Sequence, residues 1–294
     1  MSGASEHTPK LFCFGLGYTA GFLSRALGAE GWRVLGTSRS ADAREAMAGE
    51  GAEMRIFERA HPVADLGALL ADATHLLSSV PPDDHGDPVL DLHGDDIAAA
   101  PGLQWIGYLS TTGVYGDRAG GWVDEEAPLL PTGERGRRRV AAEAQWLELR
   151  RRYGSSVHIF RLAGIYGPGR NALDAVRSGR AQRVIKPGQV FSRIHVSDIA
   201  QVLRASMAKP ESGAIYNVCD DDPAPPADVI AFACDLLRMP PPPPVPIEQA
   251  KLSEMALSFY ADSKRVSNRR IKVELGVRLL YPSYRDGLAA LLKA

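Results

Sequence analysis

Short apolar runs alternate with helical periodicities through the first half of the chain. KLFCFG, WRVLGTS, AEMRIF, THLLSSV and LQWIGYLS have the length of buried strands, about four to eight residues, and are too short for helices. Between them, TAGFLSRALGAEG and ADAREAMAGEG repeat apolar positions at about 3.6 residues, the period of one helical face. Such alternation predicts a parallel sheet covered by helices on both sides. The expected fold class is α/β, a Rossmann-type doubly wound sheet. VHIFRLA adds a sixth strand, after which the pattern loosens into IYGPGRNALDAV, a hairpin-like VIKPGQVFSRIHV, a helix SDIAQVLRASM and a strand AIYNVCD. A polyproline run, MPPPPPVP over 239–246, reads as a stiff spacer between elements. The expected organisation is a nucleotide-binding core over 1–163, rejoined by 194–220, with a smaller substrate-side lobe from 164–193 and 221–294.

The 294 residues are 45% hydrophobic and 23% charged, and 34 basic groups balance 35 acidic ones. Such a chain can bury a sizeable core, and near-neutral charge gives no whole-surface footprint for nucleic acid or membrane. No apolar run reaches the roughly 18 residues of a membrane span. MSGASEHTPK lacks an apolar signal core, so a cytoplasmic protein is expected. Seven of the 34 basic residues are lysine and the other 27 arginine, so an arginine run alone is weak evidence of a site. Cys13, Cys219 and Cys234 lie far apart among apolar neighbours, which suits core packing and neither a disulfide nor a metal. DDHGDPVLDLHGDD over 83–96 combines acids with two histidines. Its plainer reading is a polar loop running into a helix start, and no metal is expected.

KLFCFGLGYTAGFLSRAL places Gly15, Gly17 and Ala20 in G-x-G-x-x-G/A spacing, directly after a strand and opening a helix. The first glycine permits a tight turn, and the second lets backbone N–H groups approach a pyrophosphate. The small third residue lets helix and strand pack closely. The helix start, with Tyr18 and Thr19, adds the positive end of its dipole. The second strand ends in GTSRS, where an NAD-selective site would place an acid for the ribose hydroxyls. Ser38 and Arg39 stand there, and no acid precedes Asp42. A guanidinium attracts a 2′-phosphate that a carboxylate would repel, so NADP is expected in preference to NAD.

LSTTGVYGD (109–117), FRLAGIYGPGR (160–170) and FSRIHVSDIAQVL (191–203) follow in order behind the glycine loop. The four motifs resemble those of the extended short-chain dehydrogenase/reductases, the NAD-dependent epimerase/dehydratase family, and the tail resembles an atypical bacterial branch of it. That resemblance implies an oxidoreductase or epimerase acting on a small molecule such as a nucleotide sugar, and a homodimer. It implies further cofactor contacts at Ser79, Val80 and Ser110. Members of the family use a Ser/Thr after the fifth strand, a proton-transferring Tyr, and a Lys four residues beyond the Tyr. Thr111 falls on the first of these. The family's Y-G-R-S-K-x-A-A-E stretch falls on R-G-R-R-R-V-A-A-E, so Arg135 stands in place of the tyrosine and Arg139 in place of the lysine.

Proton transfer needs a group that titrates near working pH. A guanidinium has a pKa above about 12 and keeps its proton. Arg135 therefore cannot act as the tyrosine does, whereas Arg139 can still donate hydrogen bonds to ribose hydroxyls. Tyr115, Tyr166 and His195 remain as candidates for moving the proton, each with packing as its plainer role. Arg135, Arg170 and Arg193 fall on cleft-facing segments of the resembling fold and point to an anionic substrate, because planar guanidinium forks suit carboxylates and phosphates. Two functions stay open: an oxidoreductase or epimerase with a non-standard active site, and an NADP(H)-binding redox sensor or regulator impaired in catalysis.

Overall fold

The computed structural model describes residues 8–39, 52–210 and 213–293; the helix expected over 41–51 lies outside them. In chain order the strands are β1 (Lys10–Phe14), β2 (Arg33–Ser38), β3 (Glu53–Ile56), β4 (His75–Ser78), β5 (Trp105–Thr111), β6 (Trp122–Val123) and β7 (Val157–Leu162), then β8 (Gly164–Tyr166), β9 (Arg183–Ile185), β10 (Arg193–His195), β11 (Ile215–Val218), β12 (Pro244–Pro246) and β13 (Arg265–Val266). One sheet has the order β11-β7-β5-β4-β1-β2-β3. The pairs β1–β2, β2–β3, β1–β4 and β4–β5 are all parallel. Winding proceeds outward from β1 in one direction and from β4 in the other. Between those two strands lies the switch point, where a doubly wound sheet leaves a crevice beyond its carboxyl ends.

All five residues of β1 are buried, as a central parallel strand covered on both faces requires. Even Lys10 conforms: its Nζ donates to the Leu69 carbonyl at 2.8 Å and pairs with Asp72.

Backbone packing divides the chain into two compact units. The first comprises Met1–Ser110, Ala141–Phe160 and Leu203–Ile215, and the second Thr111–Val140, Arg161–Val202 and Tyr216–Ala294. Phe12, Phe14, Leu76, Ile106, Tyr108 and Trp146 are among the core residues of the first. Trp146 stacks on Tyr108 with ring centroids 5.5 Å apart and donates its Nε1–H to Asp87 Oδ2 at 2.9 Å. The other oxygen of Asp87 accepts the Val89 and Leu90 N–H groups and caps the helix Pro88–Ala99. Nearby, Arg59 bridges Asp83 at 2.7 Å and Asp91 at 2.8 Å, and His93 Nε2 accepts the Val63 N–H at 3.1 Å. The acid-and-histidine segment thus serves as a helix start and its anchors.

In the second unit, the helices Ala172–Arg177, Pro226–Leu237 and Tyr284–Lys293 pack Leu173, Val176, Ala233, Tyr284 and Leu288 into a separate core. Its strands form two-stranded pairs, β10 with β8, β9 with β12 and β13 with β6, each parallel. The hairpin expected over VIKPGQVFSRIHV is therefore absent. Val184 and Ile194 are both buried, and each finds its cover against a different parallel partner. The polyproline run is a spacer only at first, because its last three residues form β12. Pro244 and Pro246 lack an N–H, which restricts them to the edge position that a two-stranded pair provides.

Candidate active site

At the end of β1 the chain turns through Gly15 at φ +78°, a backbone region that residues with a Cβ rarely adopt. Its N–H donates to Thr37 Oγ1 at 2.9 Å, and the Leu16 N–H donates to the Thr37 carbonyl at 2.7 Å. The Ser79 hydroxyl donates to the Gly15 carbonyl. The turn is thus held from β2 on one side and from just beyond β4 on the other, at the switch point. Thr37 stands with Ser38 and Arg39 at the strand end, but nothing in the sequence shows that it holds the glycine turn.

A Cβ on Gly17 would meet nothing within 4 Å, so the space before the helix start is open. Gly17 caps the helix Tyr18–Ala29 without a side-chain hydrogen bond, and the first turn contains no acid. The positive end of the helix is left to an anion from outside. Ala20 is buried, which seats that helix against the sheet. These features fit a dinucleotide pyrophosphate. Past β2, Ser38 is buried while Arg39 is exposed and has no ion-pair partner among the described residues.

The substrate-side candidates belong to the second unit. Thr111 Oγ1 accepts the Gly113 N–H at 3.1 Å and caps the short 3₁₀ turn Thr112–Tyr115. The helix Glu134–Tyr153 starts against this turn. A Cβ on Gly136 would stand 2.9 Å from the Gly113 carbonyl oxygen and 2.7 Å from Pro131 Cβ, so a bare backbone is needed there. Within the arginine run, Glu134 pairs with Arg137 at 2.8 Å and Arg138 at 3.5 Å. Those two form a solvated face. Arg135 is exposed with no ion-pair partner among the described residues, and Arg139 is half-buried. Further along, inside the first unit, buried Glu143 accepts the Ser110 hydroxyl and ties the helix to β5.

Several candidates are committed elsewhere. Tyr115 is fully buried. Its hydroxyl donates to Asn217 Oδ1 at 2.7 Å and accepts from an Arg161 guanidinium nitrogen at 2.9 Å. Burial pushes its phenol up to about 12. Both sides of the Tyr115 hydroxyl are thus occupied within the fold. Tyr166 is buried with its hydroxyl 3.4 Å from the Ser283 carbonyl and its ring edge-on to His195; burial drives its phenol far above the usual range. His195 accepts the Ser197 N–H on Nδ1 at 3.2 Å, and burial lowers it to about 4. Arg193 donates to the Phe191 and Ala224 carbonyls at 2.9 and 3.0 Å. All four side chains are engaged in contacts inside the second unit. Arg170 is exposed, at the end of an antiparallel bridge with Gly167.

Asp220 is also deeply buried, and burial pushes its carboxyl up to about 8. Below about pH 8 the folded chain favours the protonated carboxyl, whereas the unfolded chain ionises it above about pH 4. Stability should therefore fall as pH rises from about 4 and level off past about 8. Asp220→Asn should flatten the decline in Tm across that window; an unaltered slope would assign the decline to another group.

A model of the NAD dependent epimerase/dehydratase family matches residues 96–219. Protein YeeZ of Escherichia coli K12 is 32% identical over 290 residues, spanning 93% of this chain and 96% of its own. A functionally unknown conserved protein from Silicibacter pomeroyi is 56% identical, covers 97% of this chain and 99% of its own, and superposes with a TM-score of 0.88. A UDP-glucuronic acid 4-epimerase from Bacillus cereus, solved with UDP-glucuronic acid and NAD, is 14% identical and shares the fold at a TM-score of 0.77, covering 97% of this chain and 99% of its own. The glycine turn at the switch point, the motifs in their order and the near full-length similarity to YeeZ agree: the chain belongs to the NAD-dependent epimerase/dehydratase family.

Proposed function

We propose that the protein is an NAD(P)-dependent oxidoreductase or epimerase acting on a small anionic, nucleotide-sugar-like substrate, with NADP preferred. The open, acid-free helix start at Gly17 carries this reading. The bound dinucleotide would supply or accept hydride. Backbone N–H groups from Gly17 to Ala20 would hold its pyrophosphate, and Arg39 its 2′-phosphate. Val80, Ser110 and Arg139 would complete its seat, with Arg139 donating to ribose hydroxyls. Thr111 would orient the substrate oxygen. Arg135 would bind the substrate anion or steady negative charge developing in the transition state. UDP-glucuronic acid, the ligand of the Bacillus cereus epimerase, combines a carboxylate with a diphosphate and suits a guanidinium fork.

Fluorescence titration with NADPH and NADH tests the reading. NADPH should bind more tightly, and Arg39→Ala should weaken NADPH about tenfold, equivalent to about 1.4 kcal/mol, while leaving NADH unchanged. Arg135→Ala should raise the Kd of UDP-glucuronic acid by about tenfold, the value of one charge-assisted contact. Binding of neither cofactor would reject the reading. The loss of the family tyrosine favours a second reading, an NADP(H)-binding redox sensor, which predicts cofactor binding with no hydride transfer to any substrate.

A further inference from the structure

Within the second unit, the chain from Met239 to Val245 forms a rod on the surface. Each residue from Met239 to Pro243 precedes a proline, which keeps its backbone extended. The five successive rings of Pro240 to Pro244 fix φ at the polyproline value. Such a helix has about three residues per turn, so positions three apart share a ridge. Exposure follows that period. Pro242 and Val245 are half-buried, while Pro240, Pro241, Pro243 and Pro244 are exposed. Two proline pairs, Pro240–Pro241 and Pro243–Pro244, therefore face solvent with one residue between them.

Both ends of the rod are fixed. At its start, the Arg238 N–H donates to the Asp235 carbonyl at 3.1 Å and the Met239 N–H to the Cys234 carbonyl at 3.0 Å, closing the helix Pro226–Leu237. In its middle, Arg183 Nη1 donates to the Pro242 carbonyl at 3.5 Å. Its far end runs into β12, paired with β9. Little freedom is left for such a segment to lose on docking.

Arg238 departs further from what a spacer needs. It closes the helix at φ +54°, in the left-handed region where glycine is the usual occupant because it has no Cβ. Its side chain is exposed and has no ion-pair partner among the described residues. Extended reach alone explains neither this guanidinium nor proline at four solvent-facing positions.

We propose that the segment from Arg238 to Pro244 is a docking surface for a partner protein with an aromatic-lined groove that carries a carboxylate at one end. Each exposed proline pair seats between aromatic rings of the groove, the mode by which extended proline segments are read. The half-buried ridge of Pro242 stays turned away from the partner. Arg238, three residues ahead of Pro241, pairs with the carboxylate through its guanidinium fork. A run of identical rings carries little direction of its own, so the charge at one end sets which way the rod lies. The proposal is independent of the NAD(P) reading above.

The full-length protein is titrated by calorimetry with a recombinant SH3 domain, a probe whose groove is aromatic and ends in an acidic pocket. Saturable one-to-one binding is expected. Pro241→Ala and Pro244→Ala should each weaken it about tenfold, whereas Pro242→Ala, on the half-buried ridge, should change it by no more than about twofold. Arg238→Ala should also weaken it about tenfold, and replacing the acid of the probe by its amide should erase that difference. Circular-dichroism melts verify that each variant is folded. No saturable binding by the wild type, wild-type affinity in Pro241→Ala, or equal losses from Pro241→Ala and Pro242→Ala would overturn the proposal. An Arg238→Ala loss that persists against the amide probe would overturn it as well. Self-association of the wild type without the probe, abolished by Pro241→Ala, would assign the rod to a second copy of this chain instead.

Discussion

Gly15→Ala is expected to weaken NADPH binding by about a hundredfold, a loss of about 2.7 kcal/mol, in a chain that still folds. Two effects combine. At φ +78° a side chain adds strain of about 1–2 kcal/mol. The new Cβ would also lie 2.9 Å from Ser79 Oγ and 3.1 Å from Val80 Cγ2. Ser79 is the residue that holds the Gly15 carbonyl, so the turn can relieve the clash only by giving up that bond or shifting. Either response re-aims the N–H groups that follow. The strain is small beside a domain stability of about 5–15 kcal/mol, so the effect should appear in binding more than in folding. Fluorescence titration beside a circular-dichroism melt separates the two, and NADPH affinity close to wild type would remove the glycine turn as the dinucleotide seat.

Arg161→Ala should destabilise the protein by about 3 kcal/mol or more, the largest stability loss expected here. The guanidinium is 2% exposed, donates to Tyr115 at 2.9 Å and to the Glu125 carbonyl at 3.2 Å, and stands 5.1 Å above the Tyr115 ring. The Glu125 carboxylate accepts the Asn217 N–H at 2.7 Å, and Asn217 Oδ1 takes the Tyr115 hydroxyl. Truncating the arginine removes bonds from a buried charged donor and opens a cavity beside them. Tyr115→Phe is the control. It should lose about 1–2 kcal/mol from one buried hydroxyl and leave NADPH binding and any hydride transfer unchanged. Urea unfolding gives the stabilities; a Tyr115→Phe variant of normal stability but no activity would restore Tyr115 as a catalytic residue.

The sequence alone determined what depends on neighbours along the chain. The glycine turn is legible because Gly15, Gly17 and Ala20 lie within one strand–turn–helix, where spacing is geometry. The parallel sheet is legible because each buried strand needs its own apolar run and each covering helix its own period. The expectation that Arg135 and Arg139 stand where the family has its tyrosine and lysine is local in the same way, since it rests on one contiguous motif.

Tertiary structure alone decided which groups remain available for chemistry. Gly15 is held by Thr37, 22 residues on, and by Ser79, 64 residues on. Tyr115 is closed off by Arg161 and by Asn217, 102 residues away, and Asp262 accepts the hydroxyl of Thr132, 130 residues distant, just ahead of the arginine helix. A β9–β12 pair replaces the nearer hairpin in the same way. Periodicity records whether a position faces a core, but a hydrogen bond between distant polar side chains leaves no period. Burial decides which of those side chains must find a partner, and burial is a property of the folded chain.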